Sequence, residues 1–274
     1  MLPPDTRLDL LTRREVDAIP KNLCLFNRIY SIAGGRSTKR QLLHTAWLMP
    51  RLLLRQYEVV IDLQNNIISL LVMKGLRPKA WSLFDRFSLV AAGERTRLTI
   101  EAVGLGACPA ASDFMLINEK EGIRILRNNG WKDDHQLVIL NPAGAFETRN
   151  WPLDNYVRFA GLWLNRFPKT QFLVMGTEFI NAKSGYLEKQ LKDSFINLVN
   201  KTDAAQAFAI LQQVRFVLSE DSGLMQVAWG AGRSTWARVG STRSEKARPL
   251  GDNSRFLGSS DLECGSCMLE VCQY

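Results

Sequence analysis

Short apolar runs separated by helix-length segments recur along the chain. Val59-Val60-Ile61-Asp62-Leu63 is a β-branched run entered from a polar segment and ended by Gln64-Asn65-Asn66, which predicts a buried strand, with a helix over residues 67–76. Leu137-Val138-Ile139-Leu140 predicts a second strand, followed by the turn-rich Asn141-Pro142-Ala143-Gly144 and an amphipathic helix from about Leu153 to Phe167. Further strands are expected at residues 171–176, at 216–219 after a helix marked by Ala207, Ile210, Leu211 and Val214, and at 234–239. Strands alternating with helices of this length predict an α/β fold with parallel sheets covered on both faces, which bind ligands beyond the carboxyl ends of their strands. The polar stretch from Asn128 to Gln136, with Gly130, Asp133 and Asp134, is the expected divide between an N-terminal α/β domain, residues 1–130, and a C-terminal one, residues 131–274. No internal repeat or low-complexity segment is visible.

Composition fits this picture. The 274 residues are 46% hydrophobic and 23% charged, enough for two ordinary globular domains. Arg51, Arg55, Lys74 and Arg77 interrupt the most hydrophobic stretch, Leu42 to Leu76, so no run reaches the roughly 20 apolar residues that span a bilayer. The first residues carry Asp5, Asp9, Glu15 and Asp17 without an apolar core, unlike a secretory signal, and a cytoplasmic location is expected. The net charge of +8 suits a nucleic acid, an anionic membrane surface or a phosphate-bearing substrate. Lys and Arg are dispersed and no aromatic-basic motif accompanies them, so nucleic acid ranks last and no nucleic-acid partner is expected.

The segment richest in chemistry is Ser219-Glu220-Asp221-Ser222-Gly223-Leu224-Met225-Gln226, where a strand ends in an acidic, hydroxyl and glycine turn and a helix begins. Backbone N–H groups at a helix N-terminus point toward an anion, Gly223 permits close backbone approach and Ser222 adds a hydroxyl. The same residues also read as plain helix capping by Asp221 or Ser222, and local chemistry favours that reading.

Other motifs stand in a fixed order around this one: Asp62-Leu63-Gln64-Asn65-Asn66, Asn141-Pro142-Ala143-Gly144, Arg149-Asn150-Trp151-Pro152, Val239-Gly240-Ser241-Thr242, and Cys264-Gly265-Ser266-Cys267 with Cys272. Together they resemble the lipopolysaccharide heptosyltransferase family, glycosyltransferase family 9, over nearly the whole chain and most strongly from Leu137 onward. The resemblance implies a GT-B architecture of two Rossmann-like domains and inverting transfer from a nucleotide-sugar donor, ADP-heptose-like, to a lipid-anchored glycan acceptor of the lipopolysaccharide core. It implies donor-binding positions at Asn141, Gly144, Arg149, Gly176, Glu178, Asp221, Ser222, Gly223 and Gln226. Arg149 would meet the phosphates through its planar guanidinium, Glu178 the nucleoside through ribose hydroxyls, and Ser222 and Gly223 the pyrophosphate. Without the family, Arg149 is a solvated loop residue and Glu178 is first-turn helix electrostatics. Cationic and N–H donors can stabilise the leaving group without a metal, so no metal and no cofactor are expected.

Two departures from the family pattern stand out. Gln226 occupies the place of a histidine, and an amide carries no proton or charge at neutral pH. Leu8-Asp9-Leu10-Leu11-Thr12 resembles the family's second strand, so the first strand and helix, with the loop that bears the acidic base, are expected to be lacking. The N-terminal domain would be incomplete, the catalytic residue unassigned, and the isolated chain poorly stable through unpaired backbone. The chain also stops soon after Cys272, short of the closing helix of relatives. Asp62 could be nominated as a base but more simply caps the following turn. The rival reading is therefore a non-catalytic remnant that at most binds nucleotide. An unrelated Rossmann oxidoreductase is disfavoured because no G-x-G-x-x-G follows a predicted strand.

Cys264, Cys267 and Cys272 have the spacing of a metal knuckle but lack a fourth ligand nearby, and reduced thiols are preferred. Cys24 and Cys108 stand alone. Trp47, Trp81, Trp163 and Trp229 sit among apolar neighbours and are expected in the core, and His44 at its boundary. Residues 41–55 mix aliphatic, Trp and Arg side chains, which would suit peripheral contact with the anionic inner membrane, although packing against the first sheet is the simpler use.

Overall fold

The structure, a computed structural model, describes residues 6–35, 37–106, 119–249 and 251–273, so Cys108 lies outside the described residues. The chain divides into two compact units, residues 1–110 and 111–274.

The first unit contains β1 (Asp9–Arg13), α1 (Ala18–Lys21), β2 (Arg28–Ile32), α2 (Thr38–Leu53), β3 (Val59–Asp62), α3 (Ile67–Leu76), β4 (Ala80–Leu83) and α4 (Ala92–Glu101). β1 pairs with β2 and β3 with β4, both in parallel, as two separate two-stranded sheets. The predicted strand and helix at 59–76 both form, and α3 starts where expected because Asn66 caps it, accepting from Ile68 N at 2.9 Å and Ser69 N at 3.0 Å. Asp62 caps the preceding turn, Oδ1 accepting from Gln64 N at 2.9 Å and Asn65 N at 2.8 Å.

Two tryptophans depart from expectation. α2 buries the stripe Thr45, Leu48 and Leu52, which turns Trp47 outward, 57% exposed, under the Arg51 guanidinium at 4.2 Å. On β4 the alternation of a strand sends Ser82 inward, donating to Thr99 O at 2.6 Å, and leaves Trp81 54% exposed. Trp163 does pack on the core of the second unit.

The second unit contains α5 (Glu119–Asn128), β5 (Gln136–Asn141), α6 (Leu153–Arg166), β6 (Thr170–Gly176), α7 (Asn181–Leu191), β7 (Phe195–Val199), α8 (Ala204–Leu211), β8 (Val214–Glu220), α9 (Gly223–Gly230), β9 (Ser234–Arg238), α10 (Ser244–Ala247) and β10 (Ser254–Leu257). The six strands form one parallel sheet in the order β10-β9-β8-β5-β6-β7. Leu137, Val138, Ile139 and Leu140 are all fully buried, the signature of a strand covered on both faces. One layer of the core joins Val138 and Leu140 to Tyr156 and Ala160 of α6 and to Phe172, Val174 and Phe216.

α5, residues 119–128, groups with this second unit. α5 packs on α8, and Gly122 permits the approach, since a Cβ there would stand 2.6 Å from the Ala209 carbonyl carbon. The polar stretch 128–136 is a tight connection into β5, closed by Arg127 paired with Asp133 at 2.8 Å and by Trp131 Nε1 donating to His135 O at 2.9 Å. Val214, read as the last turn of a helix, opens β8 instead, because α8 ends at Leu211.

Candidate functional site

The strand order creates a switch point. After β5 the chain builds β6 and β7 on one side, then returns to build β8, β9 and β10 on the other, so β5 and β8 stand side by side where the strand order reverses, the place at which open α/β sheets bind ligands. Asn141 ends β5 and Ser219 and Glu220 end β8, with Asn141 in register with Ser219.

Asn141 is buried, and its Nδ2 donates to Ser219 Oγ and to Ser222 Oγ, both at 2.7 Å, while its Oδ1 has no partner. Ser222 is the N-cap of α9, its Oγ accepting from Met225 N at 3.4 Å. Gly223, the first residue of α9, is exposed and has no atom within 4 Å of where a Cβ would stand. Capping and an open helix N-terminus therefore coexist here.

Glu220, part of the motif but given no role by sequence, is the organising residue of the neighbouring loop. It is fully buried, its Oε2 accepting from Gly144 N at 2.7 Å and its Oε1 from Trp151 N at 2.6 Å. Burial raises its carboxyl above the ordinary glutamate value, opposed by those two amides, by the Lys183 ammonium and by the Tyr156 hydroxyl. Lys183 donates to Pro142 O and Asn150 Oδ1, each at 2.8 Å, and Arg238 Nη1 donates to Asn150 O at 3.0 Å. Three charged side chains from β8, α7 and β9 thus fix the loop 142–151 at both ends. Only the Glu220 signal, a charge at the end of a buried strand, was available in the sequence.

That loop carries Arg149, which is not solvated. Its side chain is 14% exposed, stacked over Phe146 at 4.2 Å, with Nη1 3.3 Å from Asp221 Oδ2 and Nε without a partner. Asp221 Oδ2 also accepts from Thr242 Oγ1 at 2.7 Å. Thr242 belongs to the loop after β9, which comes so close to Thr148 that a Cβ on Gly240 would stand 2.2 Å from Thr148 O. Arg149, Asp221, Ser222, Asn141 and Gly144 are therefore brought together at the switch point.

The remaining candidates make other contacts. Gly176 ends β6, and Glu178 is exposed, its carboxylate accepting from Asn200 Nδ2 and, at 3.4 Å, from Asn181 Nδ2. Gln226 Nε2 donates to Ala247 O at 2.8 Å, so its amide is engaged with α10. The C-terminal tail runs over the site loops, Met268 N donating to Ser241 O at 2.8 Å and Thr148 Oγ1 to Leu269 O at 2.6 Å. In that tail Cys264 is half-buried and Cys267 and Cys272 are exposed, and among the described residues no group of three or more His, Cys, Asp or Glu side chains is placed to hold a metal. No helix among the described residues is long and apolar enough to cross a membrane.

Known proteins resemble this chain in sequence and in fold. The chain is 24% identical over 131 residues to a lipooligosaccharide heptosyltransferase 2 of Haemophilus influenzae, an alignment spanning 45% of this chain and 37% of that protein. The fold is similar to a glycosyltransferase family 9 protein of Veillonella parvula, with a TM-score of 0.80 at 13% identity over 93% of this chain and 78% of that one. It is also similar to the ADP-heptose lps heptosyltransferase II of E. coli, with a TM-score of 0.72 at 15% identity over 94% and 82%. The family model of glycosyltransferase family 9 (heptosyltransferase) matches residues 46–274, and the chain belongs to that family.

Proposed function

We propose that this chain binds an ADP-linked sugar at the switch point of its second unit and transfers the sugar, a heptose, to a lipopolysaccharide core acceptor. The observation that carries the reading is the gathering of Arg149, oriented by Asp221, with Asn141 and Ser222 beside the exposed N-terminus of α9 at the carboxyl ends of β5 and β8. ADP-heptose is the donor named in the E. coli relative. In this reading, the acceptor hydroxyl gives its proton to a base and attacks the anomeric carbon from the opposite face, with inversion and without a metal, as the anomeric C–O bond to the diphosphate breaks and ADP leaves, its developing charge met by Arg149 and the first N–H groups of α9. Glu220 and Lys183 hold the Arg149 loop before substrate arrives, so little reorganisation is needed. The proposal includes a cytoplasmic location with peripheral contact at the inner membrane, supported by exposed Leu43 and Trp47 on α2, the latter under Arg51, and by exposed Leu54 at its C-cap.

The test is calorimetric titration of the folded chain with ADP and ADP-sugars beside Arg149→Ala. Binding that the variant loses supports the donor site, and no binding by a folded parent overturns it. A second reading, a remnant that binds nucleotide without transfer, is favoured by one observation: the Gln226 amide is occupied by Ala247 O. Tight ADP binding with no transfer to a core acceptor would select it.

A further inference from the structure

Residues 259–270 follow β10 and run across two loops of the second unit. Ser259 Oγ donates to Gly240 O at 2.7 Å and accepts from Ser266 N at 3.3 Å, which closes a compact turn against the loop after β9. Met268 N then donates to Ser241 O at 2.8 Å. The Leu269 and Glu270 carbonyls accept from Thr148, from its Oγ1 at 2.6 Å and from its N at 3.4 Å. Met268, Leu269 and Val271 are exposed, so hydrogen bonds rather than apolar burial hold this segment down. Its path is specific. Ser266 and Met268 both take left-handed backbone, at φ 59° and 61°, a conformation that persists in non-glycine residues where surrounding contacts impose it.

Thr148 is the junction. A hydroxyl has one proton, and that of Thr148 goes to Leu269 O, so Ser241 Oγ donates to Thr148 Oγ1 across 2.8 Å. The contacts form a closed ring. Arg149 follows Thr148, and its Nη1 pairs with Asp221 Oδ2 at 3.3 Å. The same oxygen accepts from Thr242 Oγ1 at 2.7 Å, and Thr242 follows Ser241, which is tied to Met268 and to Thr148. Residues 259–270 thus hold both the turn that carries Arg149 and the loop that holds its counterion, Asp221.

We propose that residues 259–270 are a strap that positions the Arg149 guanidinium, with Thr148 as the positioning residue, and that the strap and a bound nucleotide phosphate stabilise one another. The phosphate rests on the donor-site reading; the grip on Arg149 does not. Paired hydrogen bonds from a guanidinium to phosphate weaken steeply with misalignment, so a side chain aligned beforehand binds more tightly than one free to swing. The coupling is reciprocal: a phosphate held by Arg149 keeps the strap closed.

The test compares, in the full chain, Thr148→Val, which keeps the branched shape without the hydroxyl, and Thr148→Ser, which keeps the hydroxyl. Arg149 Nε is buried without a hydrogen-bond partner, so its N–H resonance, assigned by its loss in Arg149→Lys, reports on the guanidinium before any ligand is added. It shifts or broadens in Thr148→Val and keeps the parent position in Thr148→Ser. Calorimetry shows ADP affinity falling about fivefold in Thr148→Val, the worth of one hydrogen bond, and unchanged in Thr148→Ser. In an Arg149→Ala background Thr148→Val causes no further loss, because its effect passes through the guanidinium. ADP also slows amide exchange in the peptide spanning residues 266–270, and does so less in Thr148→Val. An unmoved Arg149 resonance in Thr148→Val, equal loss of affinity in both variants, or an additive loss in the double variant overturns the proposal. If the folded parent binds no ADP, the donor-site reading and the coupling fall together, while the Arg149 resonance by itself decides the grip.

Discussion

Glu220 and Trp151 are 69 residues apart in the chain, and the carboxylate of the first accepts the backbone N–H of the second at 2.6 Å. The other oxygen of the same carboxylate holds Gly144 N, so one buried side chain of β8 spans the loop on which Arg149 sits. Buried donors stripped of their acceptor lose about 1–3 kcal/mol each. Glu220→Ala is therefore expected to lower stability by about 3 kcal/mol, and Glu220→Gln, which keeps one acceptor, by about half as much. Urea unfolding measures both, and equal losses would show that the two hydrogen bonds are not what the residue contributes.

The same carboxyl makes stability depend on pH. Its folded value is raised above 4.5, chiefly by burial, so the folded chain holds a proton over a window in which the unfolded chain has released it. The stabilisation from that proton is complete below 4.5 and is lost as pH rises through the raised value. Urea midpoints followed upward from acid fall across this window in the parent and stay flatter in Glu220→Gln. Parallel profiles would contradict the assignment.

Arg149 is held by Phe146 and Asp221 before any ligand arrives. A charge-assisted bond to phosphate is worth about 1.5–3 kcal/mol, so Arg149→Ala should weaken ADP binding by roughly tenfold or more. Asp221→Asn removes the anion that orients Arg149 but also the nearest repulsion to phosphate. The expected result is a smaller change in ADP affinity than Arg149→Ala, read in the same titration.

Two glycines of the site should respond in opposite ways. In Gly240→Ala the new Cβ would stand 2.2 Å from Thr148 O, a backbone atom that cannot step aside, and overpacking of this kind costs about 1–3 kcal/mol. Gly223→Ala meets no protein atom, so its thermal midpoint should hold while ADP affinity falls, because the methyl group enters the space the phosphate is proposed to occupy. A destabilised Gly223→Ala with unchanged ADP affinity would count against a ligand there.

Much of the fold was legible in the sequence because β5, β6 and β8 are covered on both faces, and only continuous apolar runs such as Leu137 to Leu140 satisfy that position. The capped start of α3 at Asn66 and the strand, turn and helix around Ser222 were equally local, set by side chains that bond their own backbone. β2, β4, β7 and β10 were not legible, since short strands such as Ala80–Leu83 and Ser254–Leu257 mix polar and apolar residues and owe their existence to neighbours already in the sheet. The exposure of Trp47 followed from which stripe of α2 found a partner, which the composition of the helix does not specify.

The candidate site divides the same way. The sequence by itself determined the residue types, the order of the motifs and the β5 and β8 turns that bear Asn141 and Ser222. Tertiary structure alone decided that β5 and β8 stand side by side, that Arg149 turns inward onto Asp221, and that Gln226 is engaged by Ala247. It also decided the role of Glu220, whose partners are backbone N–H groups 69 and 76 residues away. Every residue but proline carries such a donor, so no sequence pattern can mark which one a buried carboxylate will meet.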